Sequence, residues 1–364
     1  MEKDYKRELE DLMMIVINEG GSDLLMSEGR HPTIRVSGFL IPLVRKPIFS
    51  KDDTYGILGE LLNSANKELF LKNKEIDFSY DYSGDGGAPK VKTGARFRGN
   101  CYFQRGSVSI ALRLIPKKIL TPAELNLPPI LETFTKKQQG FFLVVGPVGH
   151  GKTTTLASLI NVINEDRAEH IITIEDPIEY IYEQKKSIID QREIRVDTKD
   201  FPTALKSVFR EDVDVVLVGE MREVETISTA VTAAETGHLV FSTLHTNNAS
   251  QTIDRIIDSF PAAQQDQIRI QLAGSLMGIL SQRLIPRISG GLIPAHELLI
   301  NNNAVSNLIR ERRTHEINTV IETSSQEGMI DMNRSLADLA RRGEITIENA
   351  YLHSLNSRAL ESLI

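Results

Sequence analysis

The chain has 364 residues, which is long enough for two domains of ~100–200 residues each. Hydrophobic residues make up 41% and charged residues 25%, a globular composition that excludes a largely disordered chain. The 42 basic and 49 acidic side chains give a net charge of −7. This balance argues against the broad basic surface that sequence-independent binding of nucleic acid requires, so no direct nucleic-acid partner is expected.

Cysteine content and apolar runs indicate the compartment. Cys101 is the only cysteine, which excludes an internal disulfide and a four-thiolate zinc site. The longest apolar runs, such as residues 141–145, are far shorter than the ~20 residues that span a bilayer. The N-terminus is dense in charges and has no apolar core like that of a signal peptide. These features predict a soluble, cytoplasmic protein.

The first part of the chain combines helical and strand patterns. An amphipathic helix ends at Gly20 and Gly21, and short strands follow near residues 33–36 and 39–43. After a second helix near residues 54–63, three segments alternate as in a β-meander: 76–82, 94–104 and 107–115. A proline-containing stretch then predicts a linker. The predicted boundaries are an N-terminal α/β domain at 1–117, a linker at 118–130, a second α/β domain at 131–290 and a helical extension at 291–364.

The pattern changes after Gln139. Short apolar strands at 141–145, 171–174, 213–218 and 239–241 alternate with helical segments. Such spacing predicts a parallel sheet covered by helices, an α/β domain. From about Ser250 onward the pattern predicts an almost wholly helical chain.

A complete phosphate-loop motif follows the first of these strands and precedes a helix. The glycines allow backbone N–H groups to converge on an anion, the lysine neutralises phosphate charge, and the hydroxyl after it is a ligand for Mg²⁺. The motif therefore predicts binding of ATP and Mg²⁺. Its residues are Gly146, Pro147, Val148, Gly149, His150, Gly151, Lys152, Thr153 and Thr154, with His150 interpreted as a spacing residue and Thr153 as the metal-binding hydroxyl.

Hydrolysis also needs a carboxylate near the metal and a group that activates water. Glu175 and Glu220 each follow an apolar strand, at the edge of the sheet where ligands bind in doubly wound folds. They are the candidate acids, against the alternative that each caps a helix. His245 follows a third strand and could contact the γ-phosphate, or it could be a structural histidine.

Arginines share one face of the predicted meander. Strand alternation places Arg96, Arg98 and Arg113 opposite an apolar face that includes Phe97 and Cys101. Arginines that reach a nucleotide across a domain or subunit boundary would couple hydrolysis to movement. A solvated face with local ion pairs is the alternative.

The whole chain resembles the type IV pilus retraction ATPases, the PilT type within the secretion and pilus ATPase superfamily. Residues 172–179 are similar to the family's aspartate box, and residues 217–222 are similar to its Walker B segment. Residues 236–246 resemble its histidine box, and residues 304–311 resemble the C-terminal signature of the retraction class. Two positions depart from the usual pattern, with Ser306 in place of arginine and Leu25 in place of histidine.

The resemblance implies a fold and a set of roles. The fold is a PAS-like N-terminal domain followed by a RecA-like P-loop ATPase domain with a helical extension. Glu175 is expected to activate water, Glu220 to hold Mg²⁺, and His238 and His245 to sense the nucleotide. Arg98 and Arg113 match the arginines that such N-terminal domains present to nucleotide, and Arg96 does not.

The resemblance also implies a homohexamer that acts on an inner-membrane pilus platform protein and meets the membrane only through partners. An ATPase for pilus extension or type II secretion is the closest alternative. A nucleotide-sensing scaffold without turnover and a nucleic-acid motor remain as alternatives from other classes.

Overall fold

The structure is a computed structural model that describes residues 3–36, 38–82, 94–115 and 118–364. The chain divides into two compact units. The first comprises Met1–Lys118 together with Pro177–Ile181, and the second comprises Ile119–Asp176 and Tyr182–Ile364. Each unit has its own sheet and its own hydrophobic core.

The described residues of the first unit form three helices and an antiparallel sheet. Its elements in chain order are α1 (Tyr5–Asn18), β1 (Asp23–Ser27), β2 (Thr33–Val36), β3 (Phe39–Pro42), α2 (Lys51–Leu61), α3 (Ser64–Asn73), β4 (Glu75–Tyr82), β5 (Ala95–Gln104) and β6 (Ser107–Ile115). The strand order is β3-β2-β1-β6-β5-β4, with every pair antiparallel.

Side-chain alternation in this unit agrees with the sequence pattern. Along β5, Ala95, Phe97 and Cys101 are buried in the core, whereas Arg96 and Arg98 are partly exposed on the other face. Burial among apolar side chains raises the pKa of the Cys101 thiol. The predicted amphipathic helix α1 is confirmed, since its apolar stripe is buried while its N-cap, Asp4, accepts a hydrogen bond from the Arg7 N–H.

The second unit contains the parallel sheet. Its elements up to the last strand are α4 (Glu132–Thr135), β7 (Gly140–Val145), α5 (Lys152–Asp166), β8 (His170–Glu175), β9 (Ile188–Glu193), α6 (Phe201–Val208), β10 (Val215–Val218), α7 (Val224–Glu235), β11 (Leu239–Leu244), α8 (Ala249–Asp258), α9 (Ala262–Ser275), β12 (Leu276–Pro286) and β13 (Leu292–Ile300). The C-terminal helices are α10 (Asn303–Arg310), α11 (Ile317–Thr323), α12 (Met332–Arg341), α13 (Ile347–His353) and α14 (Ser357–Glu361).

The seven strands of this sheet follow the order β13-β12-β7-β11-β10-β8-β9. All neighbouring pairs are parallel except β12 with β13, which form an antiparallel edge. Every residue of β7, β10 and β11 is buried, as expected for apolar strands inside an α/β domain. The predicted parallel sheet is thus confirmed.

The prediction that the chain is almost wholly helical after Ser250 is wrong for Leu276–Ile300. This stretch forms β12 and β13, and the predicted helical extension begins with a strand. Leu, Met, Gln and Arg in β12 are good helix formers, so the local sequence does not specify a strand. Pairing with β7 on one side and β13 on the other overrides that preference.

Strand β12 is longer than its neighbour β7. Their last paired residues are Ser281 and Val145, so Gln282–Pro286 continue past the end of β7. The segment that follows β7 is the phosphate loop, which therefore lies beside this extension of β12. Within the described ranges, no helix is long and apolar enough to span a membrane.

Candidate nucleotide site

The phosphate loop connects β7 to α5 at the carboxyl edge of the parallel sheet. Gly151 adopts a left-handed conformation with φ of 78° at the N-cap of α5, which favours glycine. Gly146 has φ of 142°, and a Cβ atom there would lie 2.3 Å from the carbonyl oxygen of Gln282. These two glycines permit the tight turn and the close approach of the loop to β12.

The Lys152 side chain is held inside the loop. It is 7% exposed, and its Nζ donates hydrogen bonds of 2.8 Å to the carbonyl oxygens of Gly146 and Pro147. The same ammonium lies 3.2 Å from Nδ1 of His245, at the end of β11. Positive charge is therefore fixed where the N-terminus of α5 opens onto the loop.

His245 lies between the lysine and an acid. Because an ammonium can only donate, Nδ1 of His245 accepts and the ring proton is on Nε2. That Nε2 lies 3.7 Å from Oε2 of Glu220, which follows β10. Arg222 pairs with the other carboxylate oxygen at 2.8 Å. The structure thus brings Lys152, His245 and Glu220 together from three separate stretches of the chain.

Glu175 is the last residue of β8 and lies at the same carboxyl edge of the sheet. Its side chain is 5% exposed, and its Oε1 accepts a 2.6 Å hydrogen bond from the Thr173 hydroxyl. The Gln191 amide contacts the same oxygen at 3.4 Å. The carboxylate is held in one orientation by groups on its own and the adjacent strand, as a positioned base requires.

His238 lies at the opposite end of β11. Its carbonyl accepts a hydrogen bond from Gly140, the first residue of β7, and its ring Nδ1 lies 3.1 Å from the Ala233 carbonyl. The ring also packs edge-on against Phe209. Since six strand residues span ~20 Å, the structure does not bring His238 to the phosphate loop of its own chain. Its role toward nucleotide remains a prediction.

The three candidate arginines of β5 and β6 form ion pairs within the first unit. Nη1 of Arg98 lies 3.2 Å from Oε1 of Glu179, and Nε of Arg113 lies 2.9 Å from Oδ1 of Asp23. Arg96 pairs with Asp81 at 2.9 Å. The contact of Arg98 and Arg113 with nucleotide therefore remains a prediction.

Metal binding at this site would use few protein groups. No cluster of three or more His, Cys, Asp or Glu side chains suited to a metal ion occurs among the residues that the structure describes. Mg²⁺ in phosphate sites is held by one or two protein oxygens together with the phosphates. The Thr153 hydroxyl and the Glu220 carboxylate are oxygen donors of this kind, so the residues fit a magnesium ion that arrives with the nucleotide.

Sequence reasoning missed Gln282. This side chain is 2% exposed on β12, and its amide contacts both the phosphate loop and α5. The one signal in the sequence is a polar Ser281-Gln282-Arg283 run inside the apolar stretch 276–285. Gln282 is more than a hundred positions from the loop in the sequence, and only the pairing of β12 with β7 brings the two together.

Comparisons with known proteins show the family of the chain. A family model described as "Type II/IV secretion system protein" matches residues 109–342. The "Type IV pilus retractation ATPase PilT" of Pseudomonas aeruginosa is 40% identical over 94% of this chain and 97% of its own length. A "Twitching motility protein" of Neisseria gonorrhoeae is 43% identical over 90% of this chain and 86% of its own length.

A solved structure also supports membership of this family. The crystal structure of the pilus retraction motor PilT with bound ADP superposes with a TM-score of 0.88 and 42% identity, covering 97% of this chain and 99% of that one. A parallel α/β sheet with a complete phosphate loop and acids at its carboxyl edge defines a P-loop ATPase. The chain belongs to the type II/IV secretion system family, in its PilT-type branch. The resemblance identified from the motifs is confirmed, and the chain is an ATPase.

Proposed function

We propose that this chain is the ATP-hydrolysing motor that retracts a type IV pilus in twitching motility. The observation that carries the proposal is similarity along almost the whole chain to proteins named for pilus retraction and twitching motility, at 40–43% identity. The described phosphate loop and acids provide the chemistry that such a motor needs.

In the proposed reaction, the loop N–H groups and Lys152 bind the β- and γ-phosphates and neutralise their charge. Glu175 orients the attacking water and accepts its proton. His245, in contact with both Lys152 and Glu220, changes its contacts when the γ-phosphate leaves. Thr153 and Glu220 would hold Mg²⁺, which would neutralise charge on the phosphate oxygens.

The motor is proposed to work as a homohexamer on the cytoplasmic side of the inner membrane. It acts on the pilus platform protein in that membrane and contacts the membrane only through partners. Arg98 and Arg113 of the first unit contribute to the nucleotide sites of the ring, and His238 contributes as a sensor. The family to which the chain belongs supports this arrangement.

Deletion of the gene in its source organism tests the direction of the motor. For a retraction motor, the deleted strain keeps its surface pili and loses twitching motility, and the wild-type gene restores movement whereas Lys152→Ala does not. Loss of all pili would instead identify an extension ATPase. Normal pili with a defect in protein secretion would identify a type II secretion ATPase. Either of these two results overturns the proposal.

A further inference from the structure

Strand β12 continues past the end of β7, and there the phosphate loop lies beside it where a neighbouring strand would otherwise pair. The last pair of the two strands is Ser281 with Val145, and beyond it β12 has no β7 partner. The backbone N–H of Leu284 instead donates a 2.9 Å hydrogen bond to Nδ1 of His150, in the middle of the loop. The His150 side chain thus accepts the hydrogen bond that a neighbouring strand would otherwise accept from β12.

Gln282 makes a second connection with both ends of its amide. Its Nε2 donates a 2.8 Å hydrogen bond to the carbonyl oxygen of His150. Its Oε1 accepts a 2.8 Å hydrogen bond from the hydroxyl of Thr155, in the first turns of α5. Because the side chain is almost completely buried, loss of either end would leave a polar partner without a hydrogen bond.

The His150 ring is fixed in one protonation state by its contact. Only an unprotonated Nδ1 can accept a hydrogen bond from a backbone N–H, so the ring is neutral with its proton on Nε2. Burial lowers the pKa of His150. The charged or titratable groups around the ring lower it further, and they are His353 of α13, Arg283 of β12 and Lys152 of α5. The surroundings therefore keep His150 an acceptor at neutral pH.

We propose that Gln282 and His150 are positioning residues for nucleotide binding, which hold the phosphate loop in the conformation whose N–H groups converge on phosphate. The proposal rests on the assignment of residues 146–154 as the phosphate site. A loop that samples other conformations binds ligand in proportion to the competent fraction, so weaker anchoring weakens apparent affinity. His150, interpreted from the sequence as a spacing residue, thereby acquires a specific function.

The test is calorimetric binding of ADP to the full-length protein at pH 8. His150→Leu removes the acceptor, and we expect roughly tenfold weaker binding, the effect of about one lost hydrogen bond. His150→Asn is the matched variant, because its Oδ1 stands at the same number of bonds from the backbone as Nδ1. We expect His150→Asn to bind ADP within about twofold of the wild type.

Gln282→Met is the second arm. Methionine has a similar length but neither donor nor acceptor, so it breaks the links to His150 and to Thr155 at once. We expect ADP affinity to fall at least tenfold, on the order of one to two hydrogen bonds. Thermal unfolding of each variant shows whether it is folded, and a general loss of structure would not separate His150→Leu from His150→Asn.

Lys152→Ala distinguishes failure of the positioning role from failure of the site itself. If this variant loses ADP binding while His150→Leu and Gln282→Met bind like the wild type, the positioning proposal is overturned. If His150→Asn binds as weakly as His150→Leu, the acceptor role of His150 is overturned. If Lys152→Ala binds ADP normally, the phosphate site is wrongly assigned and the proposed function fails with it.

Discussion

Glu175 is the carboxylate to which the proposed mechanism assigns activation of water. Its place at the end of β8 and the hydroxyl of Thr173 fix its orientation. A glutamine at this position keeps the size of the side chain but cannot accept a proton from water. The substitution therefore separates nucleotide binding from hydrolysis.

For Glu175→Gln we expect phosphate release to fall by about 10²–10⁴-fold, the usual contribution of a positioned base, while ADP affinity stays near the wild-type value. Steady-state phosphate release and ADP calorimetry measure the two quantities. Glu165→Gln is the control, because Glu165 is an exposed acid at the end of α5 far from the phosphate loop and pairs with Lys185. Turnover by Glu175→Gln at the wild-type rate would remove Glu175 from the reaction.

Two buried ionisable residues stand next to each other on β13. Burial lowers the pKa of His296 to about 4 and raises the pKa of Glu297 to about 7. Glu297 keeps one hydrogen bond, which the backbone N–H of Ala249 donates to its Oε1 at 2.8 Å. Neither residue has a part in the proposed reaction, so their ionisation affects stability alone.

The stability of the protein should depend on the ionisation of Glu297. Its pKa is about 7 when folded and near 4.5 when unfolded, so the folded state binds more protons between these values. The contribution of Glu297 to stability therefore decreases as pH rises from 4.5 to 7. Glu297→Gln keeps the acceptor for Ala249, so we expect a gain of at most about 3 kcal/mol at pH 8 and little at pH 5.

Urea unfolding at the two pH values measures this difference. The wild type and Glu297→Gln share His296, so its own titration cancels in the comparison. Glu297→Ala serves as the control, since it leaves the Ala249 N–H unpaired and should destabilise the protein at both pH values. An equal effect of Glu297→Gln at pH 5 and pH 8 would contradict the argument.

At the scale of the elements, β12 and the phosphate loop approach each other closely at Gly146. A Cβ atom at this position would lie 2.3 Å from the Gln282 carbonyl oxygen, which belongs to the backbone and cannot move aside without shifting the strand. At Gly149 a Cβ atom would meet nothing within 4 Å, although φ is 79° there. Both glycines have a positive φ, and Gly146 has the close approach to β12 as an additional steric requirement.

We expect Gly146→Ala to weaken ADP binding by more than about tenfold, because the loop must move away from β12. Gly149→Ala should weaken ADP binding less than Gly146→Ala, because a Cβ atom at Gly149 meets no neighbouring atom and only the left-handed conformation opposes it. Calorimetry with ADP on both variants makes the comparison. Equal affinities of the two variants would show that the approach to β12 does not determine the conformation of the loop.

The elements also show how far the sequence predicts the structure. The phosphate loop and the strands that precede Glu175 and Glu220 follow from local motifs and apolar runs. Strand β9 could not be predicted in this way, because its Asp-Gln-Arg-Glu end has no apolar pattern. Strand β12 consists of residues that favour helix, and its conformation depends on β7 and β13. For the same reason Gln282, which reaches the loop through the sheet, could not be assigned to the site.

At the scale of the whole molecule, the chain passes between its two units more than once. The segment Pro177–Ile181 belongs to the first unit, although the residues on both sides of it belong to the second. This segment begins two residues after Glu175, and its Glu179 pairs with Arg98 of β5. The end of the strand that bears the proposed catalytic acid is therefore covalently continuous with the arginine-bearing unit.

Whether the ring is required for turnover can be measured with the unmodified protein. If Arg98 and Arg113 complete sites in an assembly, ATPase activity per chain should rise with protein concentration as the hexamer forms. Phosphate release across a concentration series, with native mass determined in parallel, checks this expectation. Activity per chain that is independent of assembly would show that each chain has a complete site, and the ring motor would be excluded.

The burial of Cys101 has a practical consequence for following such a motor at work. It is the only thiol in the chain, its side chain is fully buried in the first unit, and burial disfavours the reactive thiolate. Maleimide dyes should therefore leave the native protein unlabelled without prior removal of any cysteine. One new surface cysteine in each unit would then accept a donor and an acceptor dye, and energy transfer would record the distance between the units during turnover.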